Sequence, residues 1–148
     1  MADVHIEREF NTTAKRLFEV ITTQSDVLNW WGHDGMTLPD YQLDFSRKGP
    51  WFSHLVGGDG TVFKMSGQVT RVDPPHSVSF TWGWHDDADV RGAESHVTFT
   101  IDALENDRAR LTIDHRDLPD GEIASRHETG WTHGPMTRLE RYITTLVD

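Results

Sequence analysis

Apolar residues recur along this chain with two different periods, and the switches between them mark out its elements. Val4, Ile6 and Phe10 alternate with His5, Glu7 and Glu9, with Arg8 fitting less well, the period-two pattern of a half-buried strand. Asn11-Thr12-Thr13 offers capping side chains ahead of Ala14–Ile21, where Leu17, Phe18 and Ile21 make one apolar helical face. Ser25-Asp26 starts a second short helix, Val27–Trp31, which Gly32 ends. After a loop to Pro39, alternation returns at Tyr41, Leu43 and Phe45, then over Trp51–Val56 and Thr61–Val72. Gly57-Gly58-Asp59-Gly60 between the last two runs is a hairpin turn. Asp73-Pro74-Pro75 breaks the pattern, and Val78, Phe80, Trp82 and Trp84 restore it on one strand face. Ser95, Val97, Phe99 and Ile101 alternate next, and Ala109, Leu111, Ile113 and His115 complete the series.

From Gly121 the period becomes helical: Ile123, His127, Trp131, Met136, Leu139, Ile143 and Leu146 share a face, with a bend expected at Gly134-Pro135. The reading is an α+β domain spanning residues 1–148: one strand, two short helices, about six antiparallel strands in a meander, and a long C-terminal helix. Only that last helix is long enough to cover a face of the sheet, and a curved sheet closed by one helix leaves a space between them.

Composition narrows the function. A chain of 148 residues forms one domain with a core that needs no staples. The absence of cysteine excludes disulfides, thiolate metal sites and cysteine nucleophiles. A net charge of −10 repels phosphate backbones and anionic membrane surfaces, so no nucleic-acid partner is expected. No apolar run is long enough for a membrane span, and Met1–Glu7 lacks the basic-then-apolar order of a signal peptide. The expected compartment is the cytoplasm. An open sheet leaves edge strands that a homodimer would protect.

The chemistry-bearing residues are six tryptophans and nine histidines. Indole offers a large apolar body with one N–H donor, which suits a pocket wall as well as a core. Phe80 and Phe99 read as core, whereas Trp51, Trp84 and Trp131, near element ends, fit core and pocket wall equally. His115 continues an inward row, and an inward polar group needs a partner or a ligand. His127 lies one helical turn before Trp131, and His85 sits where a strand meets the acidic loop around Asp86-Asp87-Ala88-Asp89, a candidate lid beside Trp84. His127-Glu128 does not continue into a zinc-protease motif, because the required histidine position holds Trp131. No metal site or cofactor is expected, and no serine-nucleophile elbow or phosphate-cradling loop is present.

Trp30-Trp31-Gly32 after a short helix, Asp73-Pro74-Pro75 leading to Val78-Ser79-Phe80-Thr81-Trp82, and Gly130-Trp131 ahead of Leu139 and Tyr142-Ile143 together form a pattern. In order and spacing it resembles the heat-shock-protein-90 ATPase-activator-homologue family of the START-like (SRPBCC) superfamily. The resemblance implies a helix-grip fold, a sheet of about six to seven strands around the long helix with a hydrophobic cavity between. It also implies binding of a lipid-, polyketide- or aromatic-like small molecule. Two stretches depart from the family pattern: Pro50 replaces a glycine ahead of the third strand, and Gly134-Pro135 interrupts the last helix. The expected ligand site comprises Trp31, Trp51, Phe63, Trp82, Trp84, His115, His127, Trp131 and Met136, with His115 as the polar orienting group. No catalytic residue is assigned. The alternatives are an enzyme of the cyclase, hydrolase or isomerase type using His115 or His127, and a co-chaperone-like module that stimulates a heat-shock ATPase.

Overall fold

The structure is a computed structural model describing residues 2–146. Its element order is β1 (Ala2–Phe10), α1 (Ala14–Thr22), α2 (Gln24–Val27), β2 (Thr37–Gln42), β3 (Gly49–Val56), β4 (Val62–Asp73), β5 (Ser77–Trp84), β6 (Ser95–Ala103), β7 (Ala109–Leu118), α3 (Gly121–His133) and α4 (Pro135–Thr145). The seven strands form one antiparallel sheet in the order β1-β7-β6-β5-β4-β3-β2. This is the helix-grip arrangement, with β1 and β2 as open edges. Among the described residues, no helix is long and apolar enough to cross a membrane.

Side-chain alternation gives the sheet two unlike faces. The outer face is polar and cross-linked by ion pairs such as His5–Asp114 and Arg108–Glu9. The inner face carries Val78, Phe80, Val97, Phe99, Leu111 and Ile113, all buried against the helices. α1 begins at Thr13, whose side chain caps Arg16 N, and turns Leu17, Val20 and Ile21 onto the sheet. α3 begins at Asp120, which caps Ile123 N in the same way.

Two expectations shift. The second helix is Gln24–Val27 and stops before the tryptophan pair. Trp30 and Trp31 lie on the following turn because their N–H groups reach opposite ways, to Val20 O (3.0 Å) and Ser53 Oγ (3.0 Å). Gly32 then reverses the chain at φ +84°, where a Cβ would also lie 2.9 Å from Leu55. The strand expected at Tyr41, Leu43 and Phe45 is in fact Thr37–Gln42, an exposed edge guarded by Pro39 and Asp40. Leu43 and Phe45 are fully buried on the chain beyond it, held by Gln24 Oε1 and Thr22 O. Alternation there reflects a coil pinned under α1 and α2, with no ladder involved.

Both family departures find a place. Pro50 opens β3 ahead of its pairing with β2, whose last register position is Gln42 opposite Phe52. At the second, Pro135 takes the first position of α4, and Gly134 leaves helical geometry at φ −105°, ψ −96°. A Cβ at Gly134 would lie 2.6 Å from the His33 ring, so the break lets His33 pack into the joint.

Gly67 is the least replaceable position on the sheet. Trp51 lies across β4 at this residue, and its indole reaches over to Thr81 O on β5 at 2.9 Å. A Cβ at Gly67 would stand 1.9 Å from Thr81 O and 2.7 Å from Trp51 Nε1. Gly67→Ala should therefore cost about 3 kcal/mol or more through backbone displacement. Urea unfolding followed by tryptophan fluorescence measures this, and an unchanged midpoint would refute the packing argument.

Candidate functional site

The inner face is packed solid under α1, but a cavity of about 650 Å³ remains toward the other end of the sheet. α3 lines it with Ile123, Arg126, His127 and Gly130, spaced i, i+3, i+4 and i+7 and therefore on one face, joined by Trp131. Trp82 and Trp84 of β5, Phe63 and Met65 of β4 and Leu55 of β3 form the opposing wall. His33, Met36 and Pro135 close the side next to Trp31. Trp84, 38% exposed, stands at the rim, while Trp82 behind it is 6% exposed.

Hydrogen bonding explains the polar residues among these rings. An indole N–H donates and never accepts, so a buried indole draws an acceptor toward it. Trp84 Nε1 donates to His127 Nε2 at 3.0 Å, and Trp131 Nε1 donates to His115 Nδ1 at 3.2 Å. Each bond fixes a tautomer. His115 must carry its proton on Nε2, which donates to Ser95 Oγ at 2.7 Å. His127 must carry its proton on Nδ1. Among the described residues that nitrogen has no protein partner, and it is not among the sealed, unpartnered atoms. The two rings meet edge to face with centroids 4.5 Å apart. Trp82 Nε1 is sealed and lacks an acceptor.

Of the residues expected at the site, Trp31, Phe63, Trp82, Trp84, His127 and Trp131 line the cavity. Trp51, His115 and Met136 do not. Trp51 is drawn down to Thr81 O, and its ring packs on Phe45, Phe80 and Trp82 at 5.3–5.7 Å. His115 is fully buried behind His127, both nitrogens occupied by Trp131 and Ser95. Met136 turns into the core just after the helix break. The α3 stripe containing Arg126 and Gly130 has helical spacing as its sequence signal, and Met65 has its period-two spacing from Phe63. His33 and Met36 sit on a loop with no periodic signal.

No residue of the acidic loop lines the cavity. His85 points to the outer face, where it bonds Ser66 Oγ (2.7 Å) and Asp89 (2.9 Å). Arg91 lies over Gly83, where a Cβ would come within 2.5 Å of its guanidinium carbon. His85 thus stands apart from His115 and His127, and the three imidazoles do not converge. Among the described residues, no group of three or more His, Cys, Asp and Glu is arranged to hold a metal.

Burial pushes the His115 imidazole down to about 3, with repulsion from His127 and His96 adding to it. Burial alone pushes His127 down to about 4. Both are neutral in the fold, so the unfolded chain takes up protons first as pH falls. Their contribution to stability is complete above about pH 6.5 and is lost on acidification toward those lower values. Each proton steepens the loss by at most about 1.4 kcal/mol per pH unit. Chemical denaturation between pH 7.5 and 5 should show His127→Gln and His115→Gln with shallower pH dependence than wild type. Parallel curves would contradict neutral burial.

The comparisons agree with this architecture. The Activator of Hsp90 ATPase homolog 1-like protein family model matches residues 11–144. A crystal structure of an AHSA1 protein from Silicibacter pomeroyi is 48% identical, with a TM-score of 0.92 over 97% of this chain and 99% of that one. A Chromobacterium violaceum protein of 17% identity shares the fold at TM-score 0.81, covering 95% of this chain and 96% of its own. A Mycobacterium smegmatis protein of 19% identity does so at TM-score 0.76, over 99% and 90%. No curated protein matches. With the family model spanning nearly the whole chain and the helix-grip fold in place, the chain belongs to the Activator of Hsp90 ATPase homolog 1-like family.

Proposed function

We propose that this protein binds a largely apolar small molecule between the sheet and the α3–α4 joint. The cavity itself carries the reading. Its size falls within the range of about 300–1,000 Å³ usual for small-molecule pockets, and four tryptophans stand in its wall. The residues proposed to meet the ligand are Trp31, Phe63, Trp82, Trp84, His127 and Trp131, with the polar role at His127 in place of His115.

The hydrogen bonding favours binding over general-base chemistry. A base needs a free lone pair aimed at the substrate, and the acceptor nitrogens of both imidazoles are taken by indole N–H groups. The family's name suggests a chaperone-facing role, which calls for a contiguous apolar surface. The exposed large apolar residues are Tyr41, Val62, Trp84 and Val90, and of these only Trp84 belongs to the cavity wall.

Gly130 provides the test. It lies in the middle of a helix, where glycine costs about 1 kcal/mol relative to alanine, and a Cβ there meets nothing within 4 Å. Gly130→Phe should place its ring in the cavity, since the Cβ has open space and Gly130 lines the wall. Binding of the neutral dye N-phenylnaphthylamine should be saturable in wild type and at least about tenfold weaker in the variant. The melting temperature should not fall. Equal dye binding by both proteins would count against this cavity as the site. Solvent extraction of natively purified protein, followed by mass spectrometry, would then identify the natural ligand.

A further inference from the structure

The polar groups around the cavity are unequal in kind. The lining includes His33, Arg126, His127 and the indoles, and no carboxylate or hydroxyl side chain, in a chain of net charge −10. His127 cannot accept, because Trp84 occupies its Nε2, and it presents Nδ1–H as a donor. Arg126 stands on the same helix face at the rim. Its bond to Glu122 (2.7 Å) joins two side chains that are each about three-quarters exposed, the kind of ion pair that costs little to open. His127 Nδ1–H and Arg126 are the donors that a guest can reach, and an acceptor carried by the guest would satisfy them.

Building on the binding reading above, we propose that the guest is an apolar molecule bearing a carboxylate, one oxygen of which accepts from His127 Nδ1–H while Arg126 faces its charge. The site discriminates as well as attracts. An ammonium group of the same size would lose the His127 Nδ1–H contact and meet the like charge of Arg126, with the indole faces and His33 left to offset its desolvation. A hydrocarbon would gain the apolar contacts and leave the donors unsatisfied.

Three probes of one shape separate these cases by tryptophan-fluorescence titration: naphthalene-2-carboxylate, naphthalene and the naphthylmethylammonium ion. Wild type should bind the carboxylate at least about tenfold more tightly than the ammonium ion, and more tightly than naphthalene. His127→Phe should reduce the carboxylate-to-naphthalene affinity ratio by about tenfold. His127→Gln, which keeps an N–H donor, should hold that ratio within about threefold of wild type. Arg126→Gln should lower it a few-fold, with the difference fading in high salt. Naphthalene binding without any carboxylate preference would overturn the carboxylate assignment and leave the apolar cavity standing. A ratio unmoved by both His127→Phe and Arg126→Gln would overturn it too. Failure of wild type to bind any of the three would overturn the binding reading together with it.

Discussion

Much of this structure follows from the demand of buried indole N–H groups for acceptors, which every tryptophan but Trp82 meets. Five tryptophans bring one with them: Trp30 takes Val20 O, Trp31 takes Ser53, Trp51 takes Thr81 O, Trp84 takes His127 and Trp131 takes His115. Each bond ties an element to one distant in sequence, so the aromatic cluster fixes geometry that hydrophobic burial alone leaves loose. The pair Trp30 and Trp31 sets the turn that follows α2. Trp51 spans a whole strand and makes Gly67 indispensable. Trp84 and Trp131 join β5 to α3 and α3 to β7. Ser53, His115 and His127, which look misplaced on an apolar face, stand there as acceptors.

The α3–α4 joint has a complementary role. Arg138 donates to Trp31 O, Arg141 holds Asp34 through two bonds of 3.0–3.1 Å, and Tyr142 donates to Asp26 at 2.6 Å. The last helix thereby grips the segment that carries Trp31 and His33. The break at Gly134 frees α3 to diverge from α4, and the cavity lies beside that divergence.

The sheet was legible from side-chain alternation because its two faces differ so sharply. Val78 to Trp84 and Ala109 to His115 need no more than period two. β2 was not legible, since an exposed edge strand has no apolar signal and the buried Leu43 and Phe45 beside it mimic one. At the site, alternation placed His115 inward but could not see that Trp131 and Ser95 would seal it there. The α3 face was readable in the spacing of Ile123, Arg126, His127 and Gly130. The loop residue His33 packs at the distant Gly134, Met36 N bonds back to His33 O, and no local pattern announces either of them.

The locked tautomers have a calorimetric consequence. Two imidazoles in contact can hand a proton between them, but here each acceptor nitrogen is covered by an indole and both rings stay neutral well below physiological pH. An uncharged guest entering the cavity at neutral pH therefore meets fixed dipoles and leaves these two rings neutral. These two rings then add no buffer-dependent share to its heat of binding, in phosphate or in Tris.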